Sequence, residues 1–123
     1  MAFLERACEA SNAQEACANL AVARQEDGRT AEASKAAEHA EALVATPWGA
    51  YNLGCYWALA GDRRTAITAL RRALDLGFVD ALITSDPDLD SLRSDPAFAA
   101  MVAEVEDALR TRQQLSEGTF PWQ

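Results

Sequence analysis

The dipeptide Asn-Leu occurs at Asn19-Leu20 and again at Asn52-Leu53, and the interval 53 − 20 = 33 also separates Ala33 from Ala66 and Ala40 from Ala73. A period of this length in small and apolar residues leaves room for two short helices and their turns. One such pair cannot bury its apolar face alone and must stack on the next. The chain is therefore expected to be all-α and to consist of antiparallel helical hairpins. Composition agrees: half of the 123 residues are hydrophobic, alanine is the commonest, and the four prolines and six glycines lie at intervals that can separate helices.

Caps and breakers place the elements. A first helix is expected over Ala2 to Ala10, ending at Ser11-Asn12, and a second over Ala13 to Glu26, stopped by Asp27-Gly28. Thr30 is the expected N-cap of a third helix running to Val44, whose face is built from Ala33, Ala36, Ala37 and Ala40 with Leu43 and Val44. Thr46-Pro47 restarts the chain, since threonine caps and proline at the first helical position loses no hydrogen bond. This fourth helix runs to Ala60. Asp62 caps a fifth, with Ile67, Leu70, Ala73 and Leu74 facing inward, and Leu76-Gly77-Phe78 closes it. Short turns of helix are expected at Val79 to Ile83 and after Pro87. Asp95-Pro96 then opens a last helix to about Leu115, with Phe98, Met101, Val102, Val105 and Leu109 on one stripe.

Gly54 stands in the middle of the apolar run Ala50 to Trp57. A helix accepts a penalty of about 1 kcal/mol for glycine where another helix crosses closely, and the crossing is expected against Ala66.

The residues Ala50, Leu53, Gly54 and Trp57, then Ala66, Leu70 and Ala73, resemble the tetratricopeptide repeat (TPR) family. The first unit keeps Leu20, Ala33 and Ala40, but has Ala21 in place of the glycine and Arg24 in place of the aromatic. The stretch from Phe3 to Ala21 also resembles the Sel-like repeats, relatives in which cysteines on neighbouring helices are sometimes bridged. Together the resemblances cover about Phe3 to Phe78. They imply a short right-handed α-solenoid with a C-terminal capping helix. The organisation implied is a single domain, 1–123, with repeat units at about 13–46 and 47–78, a capping region at 79–115 and a tail at 116–123.

The resemblance further implies a non-catalytic module that binds a peptide or helix of a partner protein in an apolar and aromatic groove. The groove would be lined by Trp48, Tyr51, Asn52 and Cys55 of the fourth helix and by Glu15, Ala18, Asn19 and Val22 of the second. The basic residues with which some relatives clamp a terminal carboxylate have no counterpart here, since Ala18 and Val22 occupy two of their places and only Asn52 matches. Aromatics at helical spacing also fit plain core packing, with Trp48 and Tyr51 covered by a neighbouring helix or by the tail. Both readings stand open. The alternative function is structural: an oligomerising or capping piece of a longer repeat protein, a homodimer being one form, with Phe120, Pro121 and Trp122 filling a groove.

Nineteen acidic against eleven basic residues give a formal charge of −8, which repels phosphate backbones and anionic lipid, so neither nucleic acid nor membrane is an expected partner. No stretch approaches the roughly 20 apolar residues of a membrane span, and the start lacks the layout of a signal peptide, so a cytoplasmic location is expected.

Three cysteines, Cys8, Cys17 and Cys55, contain no CxxC pair and support neither a zinc site nor a thioredoxin-like motif. Buried thiols are the ordinary expectation. Cys8 and Cys17 still meet if they lie on adjacent antiparallel helices, and a bridge there would point to an oxidising compartment.

Asp86-x-Asp88-x-Asp90 imitates the start of a calcium loop, but Ser91 and Ala97 stand where glycine and glutamate are needed, so helix capping is expected and no metal. His39 is the single histidine, read as a surface residue with no cysteine beside it by any spacing in the repeat. No phosphate-binding glycine loop is present. No cofactor is expected, and an enzyme subunit, resting only on His39 and the aspartates, is the minority reading.

Overall fold

A computed structural model describes residues 2–116. Among the described residues there are six α-helices, two short 3-10 turns and no strand. The helices are α1 (Ala2–Ser11), α2 (Gln14–Glu26), α3 (Thr30–Glu41), α4 (Pro47–Leu59), α5 (Arg63–Asp75) and α6 (Pro96–Ser116), with 3-10 turns at Ala81–Thr84 and Pro87–Leu92. None of these helices is long and apolar enough to cross a membrane. The expected tail contacts of Phe120, Pro121 and Trp122 lie outside the described residues.

The 33-residue interval reappears in the backbone. Helices α2 and α4 both have 13 residues and start at Gln14 and Pro47, while α3 and α5 start at Thr30 and Arg63. Gly28 and Gly61, at the same offset, both take left-handed φ, 78° and 87°, where a side chain would be strained. Burial repeats as well: Leu20 and Leu53, Ala33 and Ala66, and Ala40 and Ala73 are all buried.

Packing follows from where the small residues lie. Helix α2 packs on α1, α3 and α4, and α4 packs on α2, α3, α5 and the Pro87–Leu92 turn. Helix α6 lies on α5 and on the Ala81–Thr84 turn, burying Phe98, Met101 and Val105. The bidentate pair from Arg71 to Glu104, 2.6 and 3.1 Å, ties α5 to α6 at the surface. Two apolar clusters result. One, around Cys8, Cys17, Leu20, Ala37 and Tyr56, joins α1 to α4; the other, around Tyr51, Leu70, Ile83, Leu89 and Phe98, joins α4 to the C-terminal half.

Gly54 faces α5 as expected, but its nearest neighbour there is Leu70. A Cβ at position 54 would lie 2.6 Å from Leu70 Cγ and Cδ2 and 3.5 Å from the Ala66 carbonyl oxygen. The bare backbone thus makes room for a large side chain rather than for a small one.

Three sequence expectations need correction. Thr30 opens α3 but does not cap it; the capping position is Arg29, with no side-chain bond to the helix. Helix α3 ends at Glu41 rather than Val44, and Val44 is 87% exposed. The reason is tertiary: buried Gln14 donates from Nε2 to the Ala40 carbonyl at 3.1 Å and accepts from the Thr46 amide at 3.1 Å, drawing the chain off the helix axis. Gly49 is needed there, because a Cβ would come within 2.5 Å of Gln14 Oε1. Finally, Cys8 and Cys17 are joined as a disulfide, whereas Cys55 is a buried free thiol.

Candidate functional site

The face of α4 expected to line a groove is divided between surface and core. Trp48 is 37% exposed, Asn52 is half-buried, and Glu15 and Asn19 are exposed on α2. Tyr51 and Cys55 are buried, and so is Ala18, while Val22 is half-buried. The cover over Tyr51 and Cys55 is the chain's own Pro87–Leu92 turn, which packs on α4, whereas Ala18 belongs to the cluster that joins α1 to α4. Trp48, Tyr51 and Phe78 form an aromatic block: Tyr51 and Phe78 stack at 4.3 Å, and Trp48 meets both rings edge-on at 5.6 and 4.9 Å.

Asp86 is the polar centre beneath this cover. It is buried and N-caps the Pro87–Leu92 turn, accepting the Asp88 amide at 3.0 Å on Oδ1. Its Oδ2 accepts the Tyr51 hydroxyl at 2.6 Å and the Cys55 thiol at 3.7 Å. Arg93 binds the backbone on the other side, donating to the carbonyls of Ile83 and Asp86 at 3.1 and 2.8 Å, and lies 5.5 Å over the Phe98 ring. Aspartate capping was legible in the sequence. The bond to Tyr51 was not, because it joins residues 35 apart in the chain, nor was the grip of Arg93, which crosses between two short turns that have no common period.

Electrostatics keep the buried donors protonated. Burial, reinforced by the Asp86 carboxylate, pushes Tyr51 far above the ordinary phenol range and Cys55 well above the ordinary thiol range. Asp88, at the edge, is pushed up to about 6, first by burial and then by the charges of Asp86 and Glu26. Cys55, Asp86 and Asp88 bring possible ligand atoms within 4.8 Å of one another. Yet both Asp86 oxygens already accept hydrogen bonds, and a thiol held neutral is a poor ligand. The arrangement works as a latch between α4 and the 3-10 turns.

A second cluster lies at the junction of α1, α2 and α3. His39 is exposed, but its Nδ1 is 3.6 Å from Cys8 Sγ and 3.9 Å from Cys17 Sγ, so the expectation that no cysteine lies beside it is overturned. Helix α1, which carries Cys8, stands outside the 33-residue pattern, and Cys17 and His39 lie on different helices of one unit, whose facing side chains no spacing rule pairs. Elsewhere, a cavity of about 350 Å³ opens between α3, α4 and α5, lined by Leu43, Leu53, Trp57, Thr68 and Arg72, with the Trp57 indole donating to Glu41 at 2.9 Å.

Comparison with protein-family models, with characterised proteins and with solved structures finds no match for this chain.

Proposed function

We propose that the chain is a non-catalytic, TPR-like interaction module that holds an extended segment of a partner protein against the exposed face shared by α2 and α4. Glu15 and Asn19 contribute from α2, and Trp48 and Asn52 from α4. The observation that carries this reading is Trp48: a large aromatic, 37% exposed, fixed edge-on against Tyr51 and Phe78 and so held rigid for a partner side chain. Tyr51 and Cys55 enter as the floor that supports it. Glu15, Glu26 and Asp88, together with the net charge of −8, favour a segment carrying lysine or arginine and disfavour nucleic acid.

Titrating the purified protein with extended peptides, basic and acidic, checks this directly. Basic peptides bind, Trp48→Ala weakens them by about tenfold or more, and Asn52→Ala weakens them less. Unchanged affinity in both variants, with unchanged thermal melts, removes this face from the account.

One observation favours a second reading. The Pro87–Leu92 turn already occupies the Tyr51–Cys55 part of α4, as an internal ligand would. The module would then be structural, with its groove closed by its own chain and self-association as its mode of action. No binding of either peptide class, together with a dimer in light scattering, would favour this reading.

In its bridged form the Cys8–Cys17 pair supports an oxidising compartment in place of the cytoplasmic location expected from the sequence, and transfer to a dithiol-rich compartment would open the bridge.

A further inference from the structure

Three ligand-type atoms from three helices meet at one corner of the fold: Cys8 Sγ of α1, Cys17 Sγ of α2 and His39 Nδ1 of α3, all within 4.8 Å of one another. The ring is held from its far side, where His39 Nε2 lies 3.1 Å from Asn12 Oδ1. With the Asn12 carboxamide oxygen turned toward the ring, Nε2 is the donor of this contact and the Nδ1 lone pair faces the sulfurs. Asn12 has a left-handed φ of 49°, the sole non-glycine with positive φ among the described residues. The residue that turns the chain from α1 into α2 therefore also selects the tautomer of His39, as the outer partners of metal-bound histidines do.

In the disulfide neither sulfur carries a proton, so the Nδ1 contacts are not hydrogen bonds. They acquire a chemical role once the sulfurs are thiols or thiolates. With metal bonds of about 2.3 Å to sulfur and about 2.0 Å to nitrogen, the sulfur–nitrogen edge of a tetrahedral zinc site is about 3.6 Å. The observed separation from Cys8, 3.6 Å, matches that edge, and that from Cys17, 3.9 Å, exceeds it by about 0.3 Å. Reduction must also let the two sulfurs part, to about 3.8 Å.

We propose that reduction of the Cys8–Cys17 bridge uncovers a zinc site whose protein ligands are two thiolates and Nδ1 of His39. The fourth ligand is a water from the adjoining cavity of about 170 Å³, beside Glu9 and Lys35. The reductant is a dithiol: it closes to its own disulfide while the Cys8–Cys17 bond breaks and each sulfur takes one proton. Zinc(II) then displaces both protons to solvent and forms two bonds to sulfur and one to nitrogen. Two thiolates cancel the metal charge, so this otherwise buried corner keeps no uncompensated charge. Mixed sulfur and imidazole donors select zinc over magnesium or calcium.

The test uses the full chain, reduced with a trialkylphosphine, freed of reductant under anaerobic conditions, and confirmed helical by circular dichroism. Cobalt(II), the spectroscopic probe, is expected to bind at one equivalent with thiolate charge-transfer bands and tetrahedral ligand-field bands. Zinc(II) is expected to displace it, and two protons are released per metal. Asn12→Gly, which keeps the backbone conformation and removes the carboxamide, weakens binding about tenfold. His39→Ala weakens it further, while its oxidised form still shows a single free thiol. Cys55→Ala binds as the parent does. The proposal is overturned if the reduced parent binds no cobalt, if it is unfolded and stays so with metal, or if His39→Ala binds as tightly as the parent. It is equally overturned if Cys55→Ala abolishes binding, which would place the metal at Cys55, Asp86 and Asp88.

Discussion

The Tyr51 hydroxyl donates to the Asp86 carboxylate at 2.6 Å in the interior, and this bond fastens the Pro87–Leu92 turn to α4. Tyr51→Phe leaves the ring stacked on Phe78 but removes the shortest of the bonds to a buried carboxylate. A loss of about 1–3 kcal/mol in urea unfolding is expected, and Tyr51→Phe combined with Asp86→Asn should cost less than the sum of the two. Additive losses would mean that the hydroxyl and the carboxylate do not act as a unit.

Asp88 gives the fold a pH dependence. Its folded value, about 6, lies above the ordinary 3.8 because burial and the charges of Asp86 and Glu26 disfavour the carboxylate. The stabilisation by the neutral form is present in full below the ordinary value and is lost as pH rises through about 6. Asp88→Asn should therefore melt higher than the parent at pH 7.5, and the difference should shrink as pH falls through about 6 and level off only below about 3.8. The side chain is partly solvated, so screening holds the gain to the order of 1 kcal/mol. Melting curves across pH check the sign; a variant destabilised at pH 7.5 would reverse it.

Gly54→Ala places a Cβ 2.6 Å from Leu70. Although alanine favours a helix by about 1 kcal/mol, overpacking at this crossing is expected to cost about 1–3 kcal/mol. Leu70→Ala alone should cost about 2–5 kcal/mol, and Gly54→Ala added to it should then be neutral or stabilising. A destabilising Gly54→Ala in the Leu70→Ala background would locate the clash elsewhere.

The Cys8–Cys17 bridge closes a loop of sequence separation 9 between α1 and α2. Chain-entropy arguments give such a loop about 2–3 kcal/mol of stability. Cys8→Ser with Cys17→Ser should lower the urea midpoint accordingly, with α1 the first element to lose amide protection. Equal protection of α1 with and without the bridge would show that packing alone holds it.

Local chemistry made much of this fold legible in the sequence. The breakers at Gly28, Gly61 and Gly77 and the caps at Thr46, Asp62, Asp86 and Asp95 act within a few residues, so with the 33-residue interval as a guide they located the helices to within about a turn. The alanine face of α3 and the stripe of α6 were readable for the same reason, since helical periodicity is local. Only the tertiary structure decided the rest. Gln14 reaches Ala40 and Thr46, Arg93 reaches Ile83, Tyr51 reaches Asp86, and His39 reaches Cys8 and Cys17. Each of these contacts joins side chains to groups on a different element, and no spacing rule encodes which partner the packing will supply. Periodicity alone determined that helices would form and pair; tertiary packing, which buries Gln14 and Asp86, determined where the face of α4 would close and where an exposed histidine would meet two sulfurs.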